Sequence, residues 1–327
     1  MRANDVLQVG PLRAGPGERI DGYLPAGELA DGTPIRIPIS LINGARPGKT
    51  LYLQAVSDGD ELNGLAVARE VLRRIDPAAL TGRLIVVPIT NVPAFHAHQH
   101  TNPLDGKKLN RCFPGKRNGS SSERIAYVLF QQAVVRADLC LDLHQGSVRP
   151  MIDEVRVRVG KEGPLYRECM ELARVFGIGY VLDERGPRGQ LARAAPARGI
   201  PTIDPELGGC HGWDERSIAK GVRGVMNVLH YYGFLPGEPS IPEVQIVVEK
   251  FLIVRAGRGG LVDWHVDLYD EVRPGDRLAT ITSIFGEPLD DVLSPAHGVV
   301  WSRPVYPTVA VGDALVTLGI NPRPLTA

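Results

Sequence analysis

Along the first two thirds of the chain, short continuous apolar runs alternate with segments whose apolar positions recur at helical spacing. "KTLYLQAV" (49–56), "RLIVVPIT" (83–90) and "DLCLDLH" (138–144) are of strand length, and their apolar character on both alternating sets predicts strands covered on two faces. "ELNGLAVAREVLRRI" sets Leu62, Leu65, Ala66, Ala68, Leu72 and Ile75 on one side of a helix. "SSSERIAYVLFQQAVV" predicts another, with Ser120 and Glu123 at capping-box spacing. "PLYRECMELARVFG" reads as a helix with proline near its first turn and Gly177 past its end, and "DERSIAKGVRGVMNVLHYYG" as one capped by Asp214 and ended by Gly233. "VRVRV" (155–159) alternates and predicts a half-exposed strand, while "IPTIDPELGG" predicts a strand running into a loop. Residues 91–119 read as one long loop, of a length usually functional or disordered.

Strands alternating with helices imply an α/β fold with a mixed, largely parallel sheet flanked by helices. Residues 1–48, rich in glycine and proline, add strands and turns at the front. "LPGEPSIPE" (235–243) breaks the pattern, and beyond it the sequence predicts only short strands. The division expected is a hydrolase-type domain over 1–235 including the β-rich segment 1–48, a linker over 236–243, and a smaller all-β, barrel-like accessory domain over 244–327. "VRPGDRLATI" and "VAVGDALVTL" resemble each other, so the accessory domain is expected to contain two related halves.

Composition removes several functions. Thirty-seven basic residues balance thirty-seven acidic ones, so no field draws in a polyanion and nucleic acid is not expected as a partner. Cys112, Cys140, Cys169 and Cys210 are scattered, which argues against a zinc ribbon or disulfide framework and for a reducing compartment. The N-terminus lacks the apolar core of a signal peptide, and no apolar run reaches the ~20 residues of a membrane helix. The expectation is a cytoplasmic protein acting on a small molecule, with no membrane partner and with homo-oligomerisation left open.

Four short segments carry chemistry. "VSDGDELNG" (56–64) crowds Asp58, Asp60 and Glu61 together; it is either a solvated Asp-Gly turn before a helix or half of a metal site. If the helix starts near Asp60, Asp58 and Glu61 share one side of it. "LDLHQG" (141–146) puts His144 at the carboxyl end of a strand, where open α/β sheets hold ligands, with Asp142 two residues earlier on the same face, either its supporting partner or simply a buried, bonded carboxylate. Otherwise His144 is a lone histidine bonded at a strand end. "LNRCFPG" (109–115) offers Arg111, whose planar fork suits a carboxylate, with Asn110 beside it as a further donor; otherwise Arg111 is a surface arginine in a loop. "DPELGG" (204–209) offers Glu206 as a general base or as a solvated loop acid.

Taken in order, "DGDELNG", "LNRCFPG", "LDLHQG" and "DPELGG" resemble the motif series of the succinylglutamate desuccinylase/aspartoacylase family, over roughly Leu51 to Gly209. The resemblance implies a carboxypeptidase-like scaffold and a zinc-dependent amidohydrolase acting on linear amides. It matches Glu61 and His144 to metal ligands, Asn110 and Arg111 to binders of the substrate carboxylate, and Glu206 to the general base. Asp58 stands where the family usually has its first ligand histidine. A set of Asp58, Glu61 and His144 would hold one divalent metal, zinc or, being oxygen-rich, manganese. "FHAHQH" (95–100) adds His96, His98 and His100, which at alternate spacing would share a strand face; contact of His100 with substrate is the expected role, metal binding the alternative. The family's extra arginine in this loop is missing, and His100, Lys107 or Lys108 would replace it. The accessory domain is similar to biotinyl/lipoyl-type barrels, but residues 251–327 contain no lysine for a swinging arm. The function expected is a metal-dependent deacylase of N-acyl amino acids. The alternatives are a peptidase, or a binding or regulatory homologue in which Asp58 marks a lost site.

Overall fold

The computed structural model describes residues 4–147, 149–209 and 212–325; Cys210 lies outside the described residues. A hairpin of β1 (Leu7–Val9) and β2 (Leu12–Ala14) precedes β3 (Glu18–Glu28), β4 (Pro34–Asn43) and β5 (Arg46–Ala55). Then come α1 (Asn63–Arg74), β6 (Thr81–Val87), α2 (Val92–Ala97), α3 (Ser121–Gln132), β7 (Leu139–Leu143), β8 (Glu154–Val157), α4 (Tyr166–Phe176), β9 (Tyr180–Asp183), α5 (Leu191–Ala194), β10 (Thr202–Glu206) and α6 (Glu215–Tyr231). Beyond Tyr231 every described element is a strand: β11 (Ile246–Val248), β12 (Lys250–Arg255), β13 (Gly260–Trp264), β14 (Glu271–Val272), β15 (Arg277–Thr282), β16 (Pro288–Leu293), β17 (Gly298–Ser302), β18 (Thr308–Val309), β19 (Ala314–Ile320) and β20 (Arg323–Pro324).

A ten-stranded sheet in the order β20-β11-β9-β8-β10-β7-β5-β6-β4-β3 forms the centre. Its middle is parallel: β5 pairs with β6 and β7, and β7 with β10, all in one direction. Antiparallel pairs enter at β3/β4, β4/β6, β8/β10 and β11/β20. The strand interiors show why both alternating sets had to be apolar. Leu51, Leu53, Leu139, Leu141 and Leu143 pack into a core with α1, α4 and α6. Tyr52 and Cys140, on the opposite face, pack with α3 and α5. With helices on both sides, the central strands leave no face open to water.

The local signals act as their chemistry requires. The Ser120 amide donates to the Glu123 carboxylate at 2.9 Å and closes a capping box on α3. Asp214 accepts from the Arg216 and Ser217 amides at the start of α6. Gly177, in the left-handed region, ends α4. Three expectations change. α1 starts at Asn63, so Asp58 and Glu61 sit in a turn before the helix, not on its side. The long loop carries α2 and a 3-10 turn at Leu109–Arg111, so the three histidines share no strand face. The "VRVRV" strand is mostly buried, because other strands cover its arginine side.

Two four-stranded antiparallel sheets, β12-β19-β17-β14 and β16-β15-β13-β18, make the smaller unit. Exchanging β13 with β17, β14 with β18, β15 with β19 and β16 with β12 turns one order into the other. The related segments also share their turn: the Asp276 carboxylate accepts from the Arg273 amide at 2.7 Å, and Asp313 from the Ala310 amide at 2.8 Å. Ile152, Leu182, Val248, Val299 and Trp301 form an apolar seam joining this unit to the edge of the large sheet, which β11 and β20 extend. Among the described residues, no helix is long and apolar enough to cross a membrane.

Candidate metal centre

Strand pairing builds the centre. The parallel register of β5 and β7 sets Ala55 against Leu143. The chain leaving β5 therefore turns beside the chain leaving β7, bringing Asp58 and Glu61 to His144. Glu61's amide donates to the Asp58 carbonyl at 3.2 Å and tightens the turn. Gly59 between the acids donates to the Gln99 carbonyl at 3.0 Å, and a Cβ there would lie 2.2 Å from the Ala94 carbonyl carbon. Only glycine allows the turn to lie so close to α2.

His144 Nδ1 is 3.0 Å from Glu61 Oε2 and 4.0 Å from Asp58 Oδ2. One potential ligand atom from each of the three buried residues falls within 4.8 Å of the others. On the far side of the ring, Nε2 lies 3.3 Å from Asp142 Oδ2, whose other oxygen accepts from Gln54 Nε2 at 2.8 Å. With the proton on Nε2, toward Asp142, the Nδ1 lone pair would face the two acids, the arrangement that orients a ligating histidine. With the proton on Nδ1 instead, toward Glu61, Nε2 accepts from Asn110 Nδ2 at 3.1 Å.

The centre concentrates negative charge away from water. Burial pushes the Asp58 carboxyl up, partly offset by His144 and His100. Burial, then the charge of Asp58, raises Glu61 to about 7. Burial would depress His144, but Asp142 and Glu61 outweigh it and hold the imidazole well above its usual range. Asp58 Oδ1 is buried without a partner. Two buried carboxyls pushed above their usual range, one with an orphaned oxygen, beside an imidazole are the donors a divalent ion would satisfy. Asp142, His144 and Asp204 form a second such group, but it uses the same imidazole and lies behind it. There burial, then Asp142, raises Asp204 to about 7.

Glu206 ends β10 next to His144, bridged by the His144 amide donating to the Pro205 carbonyl at 2.8 Å. The antiparallel register of β8 and β10 sets Glu154 against Glu206 and Arg156 against Asp204. Arg156 Nη1 is 2.7 Å from Glu206 Oε1, and its Nη2 is 2.8 Å from Glu154 Oε1. These groups open on a cavity of about 340 Å³, lined also by Asn110, Arg111, Lys108 and His100. Phe251 and Ile253 of β12, Trp301 of β17 and Thr317 of β19 supply another wall.

Asp58, Glu61, His144, Glu206, Asn110, Arg111 and His100 thus meet at one cavity, with Asp142 behind it. His96 and His98 are exposed and do not line it, and Lys107 pairs instead with Glu123 at 3.4 Å. Of the three candidates for the missing arginine, His100 and Lys108 line the cavity. The sequence reading missed Arg156 and Asp204, although the signal was present: "VRVRV" and "DPE" each alternate charge on one strand face.

The fold and this cluster define an α/β scaffold, a mixed, largely parallel sheet flanked by helices, with a candidate metal centre at the strand ends. The model of the succinylglutamate desuccinylase/aspartoacylase catalytic domain matches residues 47–232, and the chain belongs to that family. It is 30% identical over 293 residues to the N-alpha-acetyl-L-2,4-diaminobutyric acid deacetylase of Halomonas elongata, covering 87% of this chain and 85% of the relative. The product-bound ectoine utilization protein EutE (DoeB) from Ruegeria pomeroyi superposes with a TM-score of 0.83 at 27% identity, over 93% of this chain and 95% of that one. A succinylglutamate desuccinylase from Silicibacter sp. TM1040 does so with a TM-score of 0.84 at 27% identity, over 98% and 99%.

Proposed function

We propose that the protein is a metal-dependent deacylase that hydrolyses the amide of an N-acyl amino acid or a similar small carboxylate-bearing amide. The observation that carries this reading is the convergence of Asp58, Glu61 and His144 beside Glu206. These three residues would hold one divalent ion, zinc or manganese. Such an ion, when bound, polarises a carbonyl and lowers the pKa of water. Glu206 takes a proton from the attacking water as its oxygen bonds to the amide carbon, and delivers it to the nitrogen as the C–N bond breaks, giving a carboxylic acid and an amine. Arg156, at 2.7 Å, holds one Glu206 oxygen and leaves the other to the water. Arg111, with Asn110, binds the substrate carboxylate through its planar fork. Relatives named as a deacetylase and a desuccinylase support the reaction class.

Glu206→Gln is expected to lower hydrolysis of N-acyl amino acids at least a hundredfold while metal content, by elemental analysis, stays unchanged. Wild-type turnover in that variant refutes the base. A second reading, a non-catalytic binding homologue, rests on Asp58 standing at the first ligand position. Protein that takes up neither Zn²⁺ nor Mn²⁺ would favour it.

A further inference from the structure

We propose that His100 is a ligand of this same metal centre, so that the donor set is Asp58, Glu61, His144 and His100: two carboxylates and two imidazoles. The inference deepens the deacylase reading and rests on it. Sequence reasoning placed His100 against substrate, but its surroundings point to a metal ion.

His100 approaches from the segment after α2, which the Gly59–Gln99 hydrogen bond holds over the acidic turn. Its Nδ1 lies 3.1 Å from Asp60 Oδ1, and the other Asp60 oxygen accepts from the Ser147 hydroxyl. Asp60 is thereby engaged on both oxygens and faces Nδ1, which favours the proton there and leaves the lone pair on Nε2. A carboxylate on one imidazole nitrogen is how proteins prepare the other for a metal.

The free nitrogen faces Asp58, while Asp60 and Glu61 lie on the Nδ1 side of the ring. Nε2 is 3.7 Å from Asp58 Oδ2, closer than His144 Nδ1 at 4.0 Å to the same oxygen. Glu61 stands between the rings: Oε1 is 3.8 Å from His100 Nδ1, and Oε2 is 3.0 Å from His144 Nδ1. Ligand atoms bound at about 2.0–2.2 Å around a tetrahedral ion lie roughly 3.3–3.6 Å apart. The Asp58–His100 separation is near that span. His100 stands outside the tight group of Asp58, Glu61 and His144, at the cavity rim with its side chain 30% exposed, and ligation requires the ring to turn inward. The charge balance also favours it. Two carboxylates neutralise a dication, and a second neutral imidazole adds a donor without adding charge.

Metal-depleted wild type, His100→Ala, His100→Gln and His144→Ala are titrated with Co²⁺ against a chelator of known affinity, and visible spectra are recorded. Circular dichroism confirms folding. His100→Gln retains a polar group for Asp60 without an imidazole, and it carries the test if the alanine variant does not fold. Removing His100 is expected to weaken Co²⁺ binding at least tenfold, by analogy with the ~10–100-fold losses seen when only a ligand's supporting partner is removed. The visible bands of the bound ion shift, and His144→Ala gives a loss at least as large. Wild-type affinity and spectrum in both His100 variants overturns the inference and leaves the deacylase reading intact. A wild-type protein that binds neither Co²⁺ nor Zn²⁺ overturns both.

Discussion

Gly59 shows how much one side-chain position can decide. It separates Asp58 from Asp60, and the space its Cβ would fill is taken by the backbone of Ala94. Gly59→Ala must push the acidic turn away from α2, at about 1–3 kcal/mol for overpacking. The expected outcome is a lower melting temperature together with weaker metal binding in chelator competition, since the turn carries two acids of the centre. A drop in one without the other would show that the turn and the centre are not mechanically linked. At this scale the sequence was informative where a residue's chemistry is local. The acids, His144 and Glu206 were legible because strand ends gather functional side chains. The helix start was not, because Asp60 has cap-like chemistry that is used up on His100 and Ser147.

Between elements, the β8/β10 pair matters most. Its antiparallel register stacks Glu154, Arg156, Asp204 and Glu206 on the site side, and the Arg156 guanidinium bridges Glu154 and Glu206. Removing one partner of a buried ion pair costs about 3–5 kcal/mol, since the other is left uncompensated. Arg156→Met is therefore expected to lower both stability and kcat. Adding Glu154→Gln should recover part of the stability by removing an unpaired acid. It should not recover kcat, because Glu206 still lacks its anchor; full recovery of kcat would mean Arg156 is merely structural. "VRVRV" could be read as a strand, but not as one whose charged side is buried. That depends on the acids of β10 and on Phe251 and Trp301, more than forty residues away in the chain, and alternation is blind to such distant cover.

Over the whole molecule, the buried acids set a pH response. Burial, the first cause for each, pushes up Asp58, Glu61 and Asp204; the charge of Asp58 adds for Glu61 and that of Asp142 for Asp204, taking these two to about 7. Between the ordinary carboxyl value of about 4.5 and about 7, the native metal-free state keeps protons that the unfolded chain has lost. More protons on the native side means that these groups withdraw stability as pH rises. The melting temperature of metal-depleted protein is thus expected to fall across that window, and a bound ion, replacing the protons on Asp58 and Glu61, to flatten the decline. A matching slope with and without metal would show that the ion binds elsewhere. The α/β architecture was legible as a whole, because two-sided burial leaves its mark on every central strand.

In the smaller unit, β14 lies in the sheet of β12, β17 and β19, while its repeat counterpart β18 lies in the sheet of β13, β15 and β16. Each sheet thus takes two strands from each repeat, like two hands with fingers laced. Neither can peel away alone, so the side of the cavity formed by Phe251, Trp301 and Thr317 should melt as a single piece rather than swing aside on a hinge.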